Sequence, residues 1–189
     1  MSNQPSKFQI LMAQVGATLH AWNQVESAMG LVFLATSGIS NFLKAGSIFD
    51  SVISFEARIA VLDAAVTHDE KLSADEKEVW LCLSAKLRKL YKKRHEVAHF
   101  SLLSEDMRDG ERILPYFTWN KHARNSTKHL TLAQLAERSA KFTAASEAVT
   151  WQSTLRRQKD LPPRANEPPT PTPQMILHIR ELLARKKEA

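Results

Sequence analysis

Cysteine is almost absent from this chain: Cys82 is the only one in 189 residues. A lone cysteine excludes an intramolecular disulfide framework and leaves a cysteine-built zinc site without its donors. Glycine is also scarce, at five residues. The sequence has no glycine-rich phosphate loop and no Gly-x-Ser-x-Gly elbow, so P-loop nucleotide hydrolysis and serine-esterase chemistry have no basis in it. No run approaches the roughly 20 apolar residues that a membrane span needs. The opening Met1-Ser2-Asn3-Gln4-Pro5 lacks the basic and apolar regions of a signal peptide. These absences predict a cytoplasmic chain with no membrane partner.

What is present predicts helices. Apolar residues make up 43% of the chain, enough for a core. Phe8, Leu11, Val15, Leu19, Trp22, Met29 and Phe33 fall on one face of a 3.6-residue period, predicting a long first helix. Gly38 interrupts the pattern, which resumes at Ile48, Val52, Phe55, Ile59, Leu62 and Val66 as a second amphipathic helix. Ser73 and Glu76 form a capping box for a third, running from near Ala74 to about Ala98. The helical period is then lost until Leu130. Asp109-Gly110 separates Phe100–Leu103 from Ile113–Trp119, which predicts a short hairpin or ordered loop with Pro115 as an awkward central-strand residue. Thr131 caps a fourth helix carrying Leu132, Leu135, Phe142 and Val149, with Ser139 and Ser146 on the same face. Six prolines between Leu161 and Pro173 predict an extended linker, followed by a short amphipathic helix over Gln174–Lys187. The expected architecture is all-α: a four-helix bundle over residues 1–160 with a short insertion before its last core helix, and a Pro-rich C-terminal extension over 161–189.

Lys and Arg outnumber Asp and Glu by 26 to 20, and the excess is concentrated. Between Lys86 and Arg94 six of nine residues are basic and none is acidic. On the third helix Arg88, Lys92, His95 and His99 form one stripe, flanked by Lys89 and Lys93, along which a phosphate backbone fits. A charge run of this kind is also what a solvated helix face looks like. Arg94 stands apart from the stripe, among Leu83, Leu87, Leu90 and Val97 on the face that enters the core. Glu26 is similarly misplaced on the apolar face of the first helix. A Glu26–Arg94 ion pair would answer both anomalies, because leaving either charge buried alone costs roughly 3–5 kcal/mol.

Two motifs share this segment. His95-Glu96-Val97-Ala98-His99 matches H-E-x-x-H, the zinc-peptidase pattern in which two histidines bind the metal and the glutamate activates water. Lys92, Lys93 and Arg94 place repulsive cations directly before the first ligand, and Glu137, in a Glu-x-x-Ala, is a weak third donor. The zinc reading therefore ranks last, and the expected site holds neither metal nor cofactor. Read one residue earlier, the segment is Arg94-x-x-x-x-His99, with polar His95 after the arginine. In this the chain resembles the HEPN superfamily, whose R-x(4–6)-H motif lies near the end of a helix in an all-α bundle. The resemblance spans residues 7 to about 158, and His95 stands where family members commonly have Asn.

The resemblance implies a homodimer whose two motifs meet in one cleft, acting as a metal-independent endoribonuclease that leaves 2′,3′-cyclic phosphate ends, or as an RNA-binding module. It assigns Arg94 and His99 to catalysis, His95 and Glu96 to the cleft, and Glu26 to positioning Arg94. RNA contacts fall to Arg88, Lys89, Lys92 and Lys93, and a protein antitoxin or regulator fits as a further partner in a toxin–antitoxin or defence setting. Histidine can take a proton from a ribose 2′-OH or give one to a departing 5′-oxygen, while arginine stabilises charge on the phosphorus. On an ideal helix Arg94 and His99 point about 140° apart. Either the helix breaks before His99, or the site combines residues of two subunits. The alternative function is a non-catalytic helical dimerisation module in which the same residues serve packing. His20, His68, His122, His129 and His178 show no convergent spacing.

Overall fold

The computed structural model describes residues 5–101, 112–115 and 130–160. Within them the chain is mostly helical: α1 (Lys7–Thr36), α2 (Phe42–Ser51), α3 (Phe55–His68), α4 (Ala74–Ala98) and α5 (Leu132–Gln158). Three short strands, β1 (Phe100–Ser101), β2 (Arg112–Pro115) and β3 (Leu130–Thr131), lie between α4 and α5 in sequence. Among the described residues no helix is long and apolar enough to cross a membrane. The expected Asp109-Gly110 turn, the six prolines between Leu161 and Pro173 and the expected C-terminal helix lie outside the described residues.

Side-chain caps set the helix starts. Ser6 and Gln9 at α1, Ser73 and Glu76 at α4, and Thr131 and Gln134 at α5 each exchange reciprocal bonds between a hydroxyl, a backbone N–H and a carboxylate or amide. α1 stops where Gly38 takes a positive φ of 69°, a conformation that favours glycine after a helix end.

The second helix expected from the sequence is two. α2 ends at Ser51 and α3 starts at Phe55, because the Ser54 hydroxyl accepts from the Ala57 N–H at 3.1 Å and opens a new helix. Arg58 Nε then donates to the Val52 carbonyl at 2.7 Å, satisfying an acceptor at the end of α2. Ile48, placed on the core face by its spacing, is 42% exposed, while Phe49 and Ala45 turn inward.

The chain divides into two compact units, Met1–Val25 with Lys89–Ala144 and Glu26–Arg88 with Ala145–Ala189. In the first, Leu11, Val15, Val97, Leu130 and Leu135 form a buried cluster. Trp22 packs edge-on against Phe142 at 5.2 Å and lies 5.9 Å from Tyr91. The buried Thr18 hydroxyl donates to the Gln14 carbonyl and also approaches the Leu135 carbonyl at 3.2 Å, linking α1 to α5. β2 pairs antiparallel with β1, Phe100 opposite Pro115, and with β3, Ile113 opposite Leu130. Pro115 thus stands at the last position of the central strand.

In the second unit Phe33 stacks on Phe49 at 5.3 Å, with the Arg58 guanidinium 5.5 Å from the Phe49 ring centre. Several buried polar groups here are paired, although Gln152 Oε1 is enclosed with no partner among the described residues. Trp80 Nε1 and Arg88 Nη2 donate to the two oxygens of Asp63, at 2.9 and 2.8 Å. Arg156, almost fully buried, donates to Asp69 and Asp160.

Candidate nucleic-acid interface at the end of α4

α4 carries the motif because its capping box fixes where it starts and its apolar period fixes which face turns inward. Val79, Trp80, Leu83, Leu87, Leu90 and Val97 are all buried. The face left over presents Lys89, Lys92 and Lys93 to solvent. These lysines and the whole motif belong to the first unit.

The motif straddles the boundary between core and surface. Arg94, His95 and Glu96 are half-buried and His99 is exposed. The Nε of Arg94 is enclosed and finds no hydrogen-bond partner among the described residues. α4 ends at Ala98, yet the His99 N–H still donates to the His95 carbonyl at 3.1 Å, so the backbone keeps its helical direction through His99. The rings of His95 and His99 lie 4.2 Å apart, inclined at 54°. The structure therefore brings His99 to His95, one turn away, while Arg94 keeps its inward face.

Glu96 is engaged by a residue that sequence reading did not single out. Arg138, on α5, donates through Nη2 to Glu96 Oε2 at 2.6 Å and through Nη1 to the Lys93 carbonyl at 3.1 Å. Lys93 Nζ lies 3.4 Å from the other Glu96 oxygen. A carboxylate whose two oxygens are engaged by cations is a poor candidate for activating water. Among the described residues no group of three or more His, Cys, Asp or Glu side chains could hold a metal ion.

No family model, curated protein or solved structure matches this chain.

Two residues of the predicted set fall in the second unit. Arg88 is bound there to Asp63 at 2.8 Å and to Glu56 at 3.4 Å, with the Ser84 hydroxyl as a third partner. Its charge is already engaged by acidic neighbours. Glu26, half-buried on α1, also belongs to this unit, whereas Arg94 belongs to the first. The signal that could have found Arg138 is faint. It is a basic residue three positions after Leu135 and four before Phe142, close to the buried face of a helix, as Arg94 is on α4.

Proposed function

We propose that this chain is a HEPN-like, metal-independent endoribonuclease that acts on single-stranded RNA as a homodimer. Arg94 and His99 are its working residues, and α1, α3, α4 and α5 are the four helices of its bundle. The observation that carries this reading is the placement of His99: an exposed imidazole at the end of α4, against His95, beside the exposed Lys89, Lys92 and Lys93. The lysines attract phosphates and the imidazole moves protons. Because Arg94 and His99 diverge on one helix, the reading calls for a site completed across a two-fold axis. The ribose 2′-oxygen then attacks the adjacent phosphorus and the P–O5′ bond breaks. One histidine accepts the 2′-OH proton, the other delivers a proton to the departing 5′-oxygen, and Arg94 stabilises the phosphorane charge. DNA lacks that nucleophile.

A second reading has its own support. The Arg138–Glu96–Lys93 linkage ties the motif into the packing of α5 onto α4, as a non-catalytic interaction module requires.

Purified protein in excess EDTA separates the two. The ribonuclease reading expects single-stranded RNA to be cut to 2′,3′-cyclic phosphate ends, DNA to stay intact, and His99→Ala to abolish cutting while retaining the dimer and most RNA binding. Equal trace activity in wild type and His99→Ala would mark contamination and hand the lead to the interaction module.

A further inference from the structure

A notch of about 190 Å³ opens between α4 and α5, within the first unit. Leu90 and Phe142, both buried, form its floor. Lys93, Arg138 and Lys141 stand around it with a single lining carboxylate, Glu137. Pockets that take a whole small molecule begin at about 300 Å³. This one suits part of a larger ligand, and its three cations, set against the two carboxylates Glu96 and Glu137 that pair with them, leave an excess of positive charge that favours an anionic part.

We infer that the notch is a phosphate subsite for single-stranded RNA, gripping one phosphodiester of a strand that also crosses Lys89 and Lys92. The inference rests on the RNA-binding half of the proposed function and not on cleavage. Lys93 is the link, because it lines the notch and belongs to the exposed basic row of α4. Arg138 supplies a fixed wall, its charge largely answered by Glu96: its bonds to Glu96 and to the Lys93 carbonyl hold the guanidinium before any ligand arrives, so little ordering remains to be done on binding. Lys141 supplies the exchangeable contact. Its pair with Glu137 spans one helical turn with side chains 38% and 60% exposed, and such solvent-screened surface pairs are weak. A phosphate oxygen can therefore replace the Glu137 carboxylate at little cost.

The test uses full-length protein and two probes, a short fluorescein-labelled oligouridylate and the matching oligothymidylate, with anisotropy read over a series of salt concentrations. Lys141→Ala should weaken oligouridylate binding several-fold and lower the slope of log K against log salt by about 0.7, the share of one phosphate contact on a single strand. Glu137→Gln should tighten binding by removing the competing carboxylate. Circular dichroism checks that both variants keep the wild-type helix content. If Lys141→Ala binds like wild type while Lys89→Ala with Lys92→Ala does not, the subsite is wrong and the RNA reading stands. If wild type binds neither probe, both fail. If wild type binds and Lys141→Ala loses slope, the subsite holds even when His99 proves dispensable for cutting. Equal slope losses on both probes would assign the subsite to any single-stranded polyanion.

Discussion

Arg138 and Glu96 join α5 to α4 through a 2.6 Å bond from Nη2 to Oε2, while the same guanidinium reaches the Lys93 carbonyl through Nη1. The arginine side chain is only 14% exposed and the glutamate 31%. Removing the guanidinium strips two acceptors near the motif of their donor. Arg138→Ala should therefore lower stability by about 1–2 kcal/mol, after discounting for the part of Glu96 that water reaches. Arg138→Lys should recover only part of this, because an ammonium lacks the planar fork that spans both acceptors. Urea denaturation reads the effect, and an unchanged midpoint for Arg138→Ala would show the bridge to be energetically idle.

The end of α5 is latched to the α3–α4 connection in the second unit, and the latch is acid-sensitive. Arg156 pairs with Asp69 and Asp160, Lys71 with Asp160, and Lys159 with Glu76. Burial pushes the Glu76 carboxyl up, but the Lys159 ammonium and the Ser73 N–H and hydroxyl outweigh it and hold the group below the usual carboxylate range. Hydrogen bonds from Lys71 and Arg156 hold Asp160 below it too. Both groups release protons more readily when folded, so the unfolded chain binds more protons as pH falls toward and below about 4. The stabilisation is complete above the unfolded carboxylate range and is lost as pH drops through the lowered folded values. Denaturation midpoints measured from neutral pH down to pH 3 should fall, and Glu76→Gln should flatten part of that fall. A slope that Glu76→Gln leaves unaltered would remove Glu76 from the account.

Much of this was legible in the residues, for reasons that differ by element. α4 could be bounded because a capping box marks its start and the period of Trp80, Leu83, Leu87 and Leu90 fixes its inward face. The break between α2 and α3 was hidden. Val52 and Phe55 stay in phase across it, and the interruption depends on the Ser54 hydroxyl and on Arg58 reaching back six residues, neither of which hydrophobic spacing registers. β3 is two residues long, too short to show alternation. At the motif, His95, Glu96 and His99 could be picked out by spacing. The role of Arg138 could not, because it depends on the rotation of α5 against α4, a tertiary fact.

The last prediction separates Arg88 from the lysines that follow it. In sequence it belongs to the same basic stripe, but its guanidinium binds Asp63 and Glu56, and Asp63 also accepts from the Trp80 indole. A cation shared between two carboxylates has little charge left for a phosphate, and moving it would leave Asp63 with a single donor. Arg88→Ala should therefore cost about 1 kcal/mol of stability, since Arg88 is 36% exposed and water screens part of the pair. The same change should leave the salt dependence of polyanion binding unaltered. Lys89→Ala with Lys92→Ala should do the reverse, holding the denaturation midpoint within about 0.5 kcal/mol of wild type while flattening the salt slope, because both side chains are exposed on α4. Heparin-column elution and urea denaturation of the two variants, run side by side, give the comparison. If Arg88→Ala elutes earlier than the double lysine variant, Arg88 exchanges its carboxylates for phosphate, and the basic face extends one residue further along the helix than its ion pairs indicate.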